Sequence, residues 1–388
     1  MSLKKKILIL GPISDFGGRE IEVKNIADAL VKDFHVDLLS TIPMTKKSVA
    51  LLDNNIHGWS TIDKKIYNSN IFIKLTSIAC KLIYGRKEPA YRFIGNKLNH
   101  KYFSFDEKYF DTLKSEIVNY DTIVFCCELT TKWLEEVMVL CQELNKSLVI
   151  RTTGTIAVIP KPIARLLKHV DAILVHSNSN YEQLVGISQN NLKIIDQTTL
   201  LENDLINIKI NETPKGLTYG YLGRFSKEKG IIELLETFEK SKKKLMVAGI
   251  GPQKKEVIEL TQNNPFINCL GELSGEQIID FFDSIDVLII PSFQEAGPLV
   301  GVEAMAAGKI IVSTKVGAMM DRLDKTDNQF WFKIEDQASL VQTISEIEKL
   351  KEGTLAGIRH ELRTVYKNKY SRKTIGQNYL DIVRNVTQ

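Results

Sequence analysis

One stretch of the sequence, residues 286–308, constrains the fold most, because it reads as a strand, a loop and a buried helix in succession. Residues 286–290 form a short apolar, β-branched run of the kind found in fully buried strands. The loop after them holds Glu295 and Pro298, and a proline suits the first turn of a helix, where its missing N–H costs nothing. Residues 299–307 are apolar nearly all round, which predicts a buried helix.

Two carboxylates fall in this apolar neighbourhood, Glu295 in the loop and Glu303 in the helix, and burying an unpaired carboxylate is costly. Ligands of open α/β sheets bind beyond the carboxyl ends of the strands, and helical side chains lean toward the helix N-terminus. Both carboxylates should therefore border one crevice, which the free N–H groups of residues 296–299 also face. This set suits a nucleotide sugar, with its many hydroxyls and its phosphates. The alternative is that Glu303 is a structural residue paired with an Arg or Lys.

The composition is that of a globular protein long enough for two domains. The chain has 388 residues, of which 44% are hydrophobic and 25% charged, and its formal net charge is +4. This mild charge indicates no nucleic-acid partner, and no apolar run reaches the ~18 residues that a membrane span needs. The five cysteines include no Cys-x-x-Cys pair, which predicts a reduced, cytoplasmic protein without a thiolate metal site.

Apolar, β-rich runs alternate with helical patterns in two separate series, which predicts two doubly wound α/β domains. The first series ends near residue 195, and the mixed-polarity residues 196–215 are expected to link the domains. The predicted strands are residues 6–10, 35–39, 121–126, 148–150, 171–175, 192–195, 217–222, 245–248, 267–270, 286–290 and 310–313.

Two cations, Arg224 and Lys229, follow the first strand of the second series, at the sheet edge that should also carry the two carboxylates. An arginine binds phosphate oxygens in bidentate fashion, and a lysine adds a compact positive charge. These residues together predict a site for a diphosphate joined to a polyol. In the first series, Gly17-Gly18 lies between a strand and its helix, either as an approach to a phosphate or as a simple tight turn.

Residues 44–110 are rich in lysine, arginine and aromatic residues and poor in acids. They contain a helical apolar stripe that Lys74 and Lys81 border, and the stripe consists of Ile71, Leu75, Ile78, Ala79 and Leu82. Two interpretations stay open. The stripe is either an interfacial patch that faces anionic lipid or an anionic acceptor, or an ordinary amphipathic helix packed on its own domain.

In combination, these motifs resemble those of nucleotide-sugar-dependent glycosyltransferases of the GT-B type, which have two Rossmann-like domains, each with a doubly wound parallel sheet, and a cleft between them. More narrowly, the chain is similar to the retaining group called glycosyltransferase family 4, or glycosyl transferases group 1. The similarity covers nearly the whole chain and is strongest over residues 219–317. It rests on Glu-x7-Glu at Glu295 and Glu303, Gly-Arg-x4-Lys-Gly at Gly223, Arg224, Lys229 and Gly230, Gly249-Ile-Gly-Pro252, Leu270-Gly271, residues 286–292, and Gly17-Gly18.

The resemblance implies a domain plan and a set of donor contacts. An acceptor-binding domain would span residues 1–205, a donor-binding domain residues 206–371, and a C-terminal helix over residues 372–388 would cross back to the first domain. The implied catalytic residues are Arg224, Lys229 and Glu295. The implied donor-binding residues are Gly17, Gly18, Gly223, Arg224, Lys229, Gly249, Glu272, Leu273, Glu295, Ala296, Gly297, Pro298, Leu299 and Glu303.

Within that set, the resemblance gives Arg224 and Lys229 the diphosphate and Glu303 the ribose hydroxyls. It gives the donor sugar to Glu295 and the amides of residues 296–299. It places Glu272 and Leu273 near the base.

The implied function is transfer of a hexose-type sugar from a nucleotide-diphosphate sugar to a glycan or lipid-linked acceptor, with retention of configuration, in polysaccharide or glycolipid synthesis. No bound metal or other cofactor is expected. The protein is expected in the cytoplasm, with peripheral contact at the anionic inner face of the membrane as a further expectation. The alternatives are a nucleotide-sugar epimerase or hydrolase of the same fold, or a catalytically silent subunit that binds the donor.

One position departs from the family pattern. Many members carry a His after the strand that corresponds to residues 148–150, where it contacts the donor sugar. Here Thr153 takes that place, or Thr152 if the alignment shifts by one residue. A neutral hydroxyl would then meet the sugar, or Arg151 would supply the charge, or the site would be silent. We expect an active enzyme with Thr153 facing the cleft, and the acceptor-side candidates are Glu128, Arg151 and Thr153.

Overall fold

A computed structural model describes residues 4–54, 56–84, 87–213 and 216–387 of the chain. The chain divides into two compact units. Unit 1 comprises residues 1–175, 183–193 and 376–388, and unit 2 comprises residues 176–182 and 194–375.

Unit 1 is built on a seven-stranded sheet in the order β3-β2-β1-β4-β5-β6-β7. Its strands are β1 (Lys6–Gly11), β2 (His35–Ser40), β3 (Gly58–Thr61), β4 (Thr122–Cys127), β5 (Ser147–Thr152), β6 (Ala172–Val175) and β7 (Leu192–Ile194). Its α-helices are α1 (Gly18–Leu30), α2 (Ile62–Ser69), α3 (Ile71–Tyr84), α4 (Lys97–Tyr102), α5 (Phe105–Ile117), α6 (Leu134–Glu143) and α7 (Lys161–Leu166), and α8 (Asn178–Ser188) begins in unit 2 and ends in unit 1. Short 3-10 turns span Val49–Asn54, Ala90–Phe93, Leu167–His169 and Gln189–Asn191.

Unit 2 is built on a six-stranded sheet in the order β10-β9-β8-β11-β12-β13. Its strands are β8 (Tyr219–Leu222), β9 (Leu245–Ala248), β10 (Ile267–Gly271), β11 (Val287–Ile290), β12 (Ile310–Ser313) and β13 (Phe330–Trp331). Its α-helices are α9 (Glu202–Asn207), α10 (Ile231–Ser241), α11 (Lys254–Thr261), α12 (Gly275–Ser284), α13 (Leu299–Ala307), α14 (Met319–Leu323), α15 (Gln337–Glu348) and α16 (Glu352–Val365). A 3-10 turn at Lys227–Lys229 and a π-helical turn at Tyr366–Tyr370 complete the unit.

The described strand pairings are parallel in both sheets. Each sheet grows outward in both directions from a central pair, β1 with β4 in unit 1 and β8 with β11 in unit 2. This is the doubly wound arrangement, in which the strand order reverses at the centre of the sheet. The predicted fold class of two Rossmann-like α/β domains is therefore confirmed.

The core of unit 2 shows why the 286–308 stretch dominates the pattern. All four residues of β11 are buried, and every residue of α13 from Gly301 to Ala307 is buried as well. Gly308 ends the helix with a φ of 63°, a left-handed conformation that costs a glycine little. The prediction of a buried strand followed by a buried helix is confirmed.

The expectation that residues 196–215 link the domains is wrong for residues 196–213, which belong to unit 2. Residues 214 and 215 lie outside the described part of the chain. Asp196, Gln197, Thr198 and Thr199 are buried, and helix α9 packs against α13. These polar side chains are satisfied by partners within unit 2, so mixed polarity here marks a buried hydrogen-bonding segment.

The last helix, α17 (Arg372–Val386), has its first residues in unit 2 and belongs to unit 1 from Gly376 onward. In unit 1, Tyr379 is fully buried, and the hydroxyls of Thr387 and Thr122 are 2.9 Å apart. Ser147 also donates a hydrogen bond to the carbonyl of Val386 at 2.6 Å.

Candidate active site

Three loops meet at the carboxyl ends of the central strands of unit 2. They are residues 223–230 after β8, residues 249–253 after β9 and residues 291–298 after β11. Because β8 and β11 flank the point where the strand order reverses, this is the edge at which a doubly wound sheet binds its ligand.

Two glycines allow these loops to touch backbone to backbone. Gly230 has a φ of 64°, and a Cβ built on it would lie 2.0 Å from the carbonyl oxygen of Pro291. Gly249 has a φ of 145°, and its Cβ would lie 1.8 Å from the carbonyl oxygen of Gly223. No other residue fits either position without moving a neighbouring loop.

The cations and one carboxylate of the predicted site are together in this region. The Nζ of Lys229 donates a hydrogen bond to Oε1 of Glu295, to which the Ser292 hydroxyl also donates at 3.3 Å. The Lys229 and Glu295 side chains are 26% and 13% exposed, so both remain reachable from solvent. Arg224 is exposed, and its backbone carbonyl accepts a 2.8 Å hydrogen bond from the hydroxyl of Tyr221.

The N-terminus of α13 presents backbone amides beside this ion pair. Pro298 is the N-cap residue of the helix and carries no N–H, so the available donors are the amides of Ala296, Gly297 and Leu299. The expectation that all four residues from 296 to 299 donate is corrected to three. These amides and the helix dipole favour an anion at this end of α13.

A buried ion pair that sequence reasoning missed fixes this loop. Arg322 is 1% exposed and donates hydrogen bonds to both carboxylate oxygens of Asp196, at 2.8 and 2.6 Å. Its Nη1 also donates to the carbonyl of Pro298. Because Asp196 and Arg322 are far apart in sequence and match no motif, no local signal could have identified them.

Glu303 lies in the second turn of α13 and is 7% exposed. The hydroxyl of Thr199 donates a hydrogen bond to its Oε1 at 3.1 Å. Burial raises the pKa of Glu303 to about 7, which the hydrogen bond from Thr199 opposes. Among the described residues, Glu303 forms no ion pair with an Arg or Lys, contrary to the structural alternative, and its partner is the neutral hydroxyl of Thr199.

The other predicted donor contacts are divided between the two units. Glu272, which is exposed, and Leu273, which is half-buried, follow β10 in unit 2. Gly17 and Gly18 are both exposed at the start of α1 in unit 1. Beside them, the Glu20 carboxylate accepts hydrogen bonds from the amide and the hydroxyl of Ser14 at 2.6 and 2.8 Å.

One of the three acceptor-side candidates lines a cavity of about 450 Å³ in unit 1, and a second is hydrogen-bonded to Arg19, which also lines it. Glu128 lines the cavity and pairs with Arg19 at 3.3 Å. Thr153 is half-buried at the end of β5, and its hydroxyl accepts a 3.1 Å hydrogen bond from Nε of the same Arg19. Thr152 is buried, so of the two alternative positions Thr153 is the more accessible.

The third candidate, Arg151, is wrong as an acceptor contact. Its side chain is fully buried within unit 1, where it pairs with Glu22 of α1 at 3.2 Å and lies 5.6 Å from the centre of the Tyr379 ring. The Tyr379 hydroxyl donates to the same carboxylate of Glu22. Because the guanidinium of Arg151 is fully buried and paired with Glu22, this side chain is not available to a substrate.

The described residues contain no group of three or more His, Cys, Asp or Glu side chains arranged to hold a metal ion. They also contain no helix with the length and apolar character needed to cross a membrane.

Comparison with known proteins adds to this geometry. The family model for Glycosyl transferases group 1 matches residues 203–369, which lie within unit 2. The chain is 30% identical over 130 residues to the putative teichuronic acid biosynthesis glycosyltransferase TuaC of Bacillus subtilis, a match that covers 33% of this chain and 32% of that protein. It is 27% identical over 183 residues to the lipopolysaccharide 1,2-N-acetylglucosaminetransferase of Salmonella typhimurium, covering 42% of this chain and 47% of that protein. The chain thus spans less than half the length of these relatives.

Among solved structures, the chain is similar to Anabaena Alr3699/HepE in complex with UDP, with a TM-score of 0.71 at 16% sequence identity. The similarity covers 98% of this chain and 100% of that chain. At this identity the likeness shows the fold, which is the two-domain GT-B fold that the sequence predicts.

Proposed function

We propose that this chain is a glycosyltransferase that moves a hexose-type sugar from a nucleotide-diphosphate sugar to a glycan or lipid-linked acceptor. One observation carries the proposal. Lys229 is bonded to Glu295 in the loops that follow β8 and β11, Arg224 lies in the same loop as Lys229, and the buried Glu303 lies on α13, the helix that follows Glu295. The group 1 match over unit 2 and the UDP bound by the Anabaena protein support a nucleotide-diphosphate sugar as donor.

The chemistry we propose is stabilisation of the leaving group. The bond between the anomeric carbon and the diphosphate oxygen breaks, and negative charge builds on that oxygen. Arg224, Lys229 and the α13 amides would stabilise this charge more in the transition state than in the ground state. To reach the phosphate, Lys229 would leave Glu295, whose carboxylate would then accept hydrogen bonds from the sugar hydroxyls.

We also propose that the chain belongs to family 4. The acceptor hydroxyl would bond to the anomeric carbon on the face that the diphosphate leaves, passing its proton to the departing group. This retains the anomeric configuration. Proton NMR of the first product formed distinguishes the two anomers, and an inverted product would exclude this assignment.

Metal independence is a further part of the proposal. Two cationic side chains and a helix N-terminus would take the role that a metal ion plays at other diphosphate sites. Turnover should therefore persist when EDTA is added to protein purified without divalent metals. Loss of turnover with EDTA, and its recovery with added Mg²⁺ or Mn²⁺, would contradict this part.

The acceptor and the location of the enzyme are also proposals. The names of the two curated relatives, which refer to teichuronic acid and to lipopolysaccharide, support an acceptor used in building cell-surface glycans. We propose that unit 1 binds this acceptor and that unit 2, which holds residues 194–375, binds the donor. The protein would act in the cytoplasm, at the inner face of an anionic membrane.

A panel of UDP-, GDP-, ADP- and dTDP-sugars, screened by thermal shift, tests the donor site first. A donor present at about 100 times its dissociation constant stabilises the folded protein by about 2.7 kcal/mol. Arg224→Ala and Lys229→Ala should abolish that shift or reduce it strongly, and Lys227→Ala, an exposed lysine of the same loop, is the matched control.

Release of nucleoside diphosphate with and without acceptor then separates the alternatives. Release that depends on acceptor supports a transferase. Turnover of donor without acceptor would indicate the epimerase or hydrolase, and tight donor binding without any turnover would indicate the silent subunit.

A further inference from the structure

Helix α3 of unit 1 turns its apolar stripe toward solvent. Ile71, Phe72, Leu75, Leu82 and Ile83 are between 56% and 77% exposed. The opposite side of the helix, which holds Ile73 and Ser77, provides its only buried residues among those the structure describes. The interpretation of α3 as an ordinary amphipathic helix, with its apolar stripe packed on its own domain, is therefore wrong.

Helix α4 extends the same exposed surface. Thr76 of α3 donates a hydrogen bond to Asn99 of α4 at 2.6 Å, and the rings of Phe72 and Phe103 stack at 5.8 Å. These contacts hold the helices side by side, and Leu98 and Tyr102 of α4 are 50% and 62% exposed. We call this surface the α3–α4 face, and it consists of Ile71, Phe72, Leu75, Leu82, Ile83, Leu98 and Tyr102.

Exposed apolar side chains are concentrated on this face. Of the 21 large hydrophobic residues that are exposed in the described chain, seven form this face. Contiguous apolar patches of this kind are rare on soluble monomers, and they mark surfaces that bind a partner or a membrane. A functional occupant is therefore expected.

The segment of sequence that carries the face is basic, which indicates the kind of occupant. Residues 71–102 contain seven Lys and Arg residues and one acidic residue, a net charge of +6 within a chain whose total is +4. Lys74 and Lys81 lie seven residues apart, on one flank of the exposed stripe. Two copies of so basic a face would repel each other, which disfavours self-association through it.

We propose that the α3–α4 face docks on an anionic lipid bilayer. Leu82, Ile83 and their apolar neighbours would enter the boundary between headgroups and acyl chains, while the lysines would meet the anionic headgroups. The inference deepens the proposed function, because it brings unit 1 to the surface where a lipid-linked acceptor resides. Docking itself requires neither donor nor acceptor, so only the reason for docking, which is access to the acceptor, rests on the proposed function.

Co-sedimentation of the full chain with vesicles tests the proposal. The vesicles are phosphatidylcholine alone, or phosphatidylcholine with roughly a third phosphatidylglycerol. The wild-type protein should bind the anionic vesicles and bind the neutral ones far less. Leu82→Ser with Ile83→Ser should lower the partition coefficient on the order of 10-fold or more, and Lys74→Gln with Lys81→Gln by roughly 5-fold per lysine.

Two controls make the result specific. Ile258→Ser with Val341→Ser removes two aliphatic side chains that are 42% and 44% exposed in unit 2, and this variant should bind like the wild type. The melting temperature of each variant checks that it is folded. The substituted aliphatic residues are exposed, and Lys74 and Lys81 are half-buried.

The proposal is overturned if the wild type does not bind anionic vesicles at low salt, or if the Leu82/Ile83 variant binds as the wild type does. It is also overturned if sedimentation velocity shows a dimer that the Leu82/Ile83 variant loses, because the occupant would then be a second copy. Vesicle binding without any sugar transfer would refute the proposed function and leave the docking surface intact.

Discussion

Units 1 and 2 each bury a glutamate on a helix, and the two glutamates have opposite surroundings. Glu22 of α1 has Arg151 at 3.2 Å and the hydroxyl of Tyr379 as a second donor. Glu303 of α13 has one recorded hydrogen bond among the described residues, from Thr199, and its pKa is raised by burial to about 7. The first carboxylate is paired with a cation within the fold, whereas no cation in the described part of the chain pairs with the second.

This difference separates a structural carboxylate from one available to a ligand. A buried charge that is paired contributes to a specific packing arrangement and is expensive to disturb. A buried carboxyl group that titrates near neutrality, beside a loop of cations and helix-end amides, is typical of a functional site. Both glutamates look alike in the sequence, and only their partners distinguish them.

The largest effect is expected from breaking the unit 1 cluster. Arg151→Ala leaves Glu22 buried beside Tyr379 without its cation, which should lower the free energy of unfolding by about 3–5 kcal/mol. Urea denaturation and melting temperature measure the loss. Arg165→Ala, which removes an exposed arginine of the same unit, is the control and should change neither.

A double substitution sharpens this test. Arg151→Met with Glu22→Gln removes both charges and keeps an acceptor for the Tyr379 hydroxyl, so it should recover much of the stability. A stable, acceptor-impaired Arg151→Ala protein would restore the role that the sequence suggested for this residue.

An Arg→Ala substitution in the candidate site of unit 2 should instead lower turnover and leave stability unchanged. Arg224→Ala removes an exposed cation, so stability should stay near that of the wild type while turnover falls by on the order of 10²-fold. Initial rates at saturating donor measure this effect. Lys227→Ala should keep near-normal rates, and a fully active Arg224→Ala protein would exclude the arginine from the reaction.

Glu303 should make donor binding depend on pH. Hydroxyl groups of the ribose donate best to the ionised carboxylate, so the donor dissociation constant should fall as the pH rises through about 7. Glu303→Gln should remove this dependence and weaken binding above pH 7 by roughly 10- to 100-fold. Calorimetric titration at several pH values provides the measurement.

The stability of the protein without donor should fall as the pH rises, whereas donor affinity should increase. Burial raises the pKa of Glu303 above its pKa in the unfolded chain. The stabilisation that Glu303 gives the folded protein is therefore fully present below the unfolded pKa and is lost as the pH rises through about 7. Glu303→Gln should therefore melt at least as high as the wild type at pH 8. A destabilised variant with normal donor affinity would make Glu303 a structural residue like Glu22.

Thr199 should have a smaller effect, exerted through Glu303. Thr199→Val removes the hydroxyl that donates to the carboxylate, so the pKa of Glu303 should rise and donor affinity at pH 7 should fall by roughly 2- to 10-fold. The matched control is Thr198→Val, because the Thr198 hydroxyl instead lies 3.2 Å from that of Tyr366. Equal effects of the two substitutions would show that only packing is being measured.

The smallest effect is expected at Thr153. This residue is half-buried at the end of β5 and accepts a hydrogen bond from Arg19, so Thr153→His should be tolerated, with turnover within a few-fold of the wild type. Steady-state rates compare it with Thr152→His, which places an imidazole in a buried position and should be destabilising.

Much of the fold could be predicted because its central strands are buried on both faces. Such strands are continuous apolar runs, and those predicted at residues 245–248 and 310–313 match β9 and β12 residue for residue. Strands β3 and β13 were missed, because both lie at sheet edges and are only partly buried, and β13 has only two residues.

The candidate site was predictable where backbone geometry demands particular residues. Gly230 and Lys229 are neighbours in the loop after a strand, and a positive-φ glycine beside a cation there gives a recognisable spacing in the sequence. Partners that meet only in the folded chain give no such spacing. The pairs of Asp196 with Arg322 and of Arg151 with Glu22 could therefore not be foreseen. Arg151 lies within β5, where it meets α1 and α17 instead of solvent.

The path of α17 has a consequence for the order in which the protein folds during synthesis. Residues 376–387 leave the ribosome after all of unit 2, yet they supply Tyr379 to Glu22 and close the hydrogen bonds of Thr387 and Val386 with unit 1. Domains generally fold as units in the order of synthesis. In this chain, most of unit 1 is made first, but Tyr379 joins the buried cluster of Glu22 and Arg151 only after unit 2 has emerged. Until then, nascent unit 1 lacks one of the side chains that bond Glu22. Protease resistance of ribosome-bound chains should therefore appear in unit 2 before it is complete in unit 1.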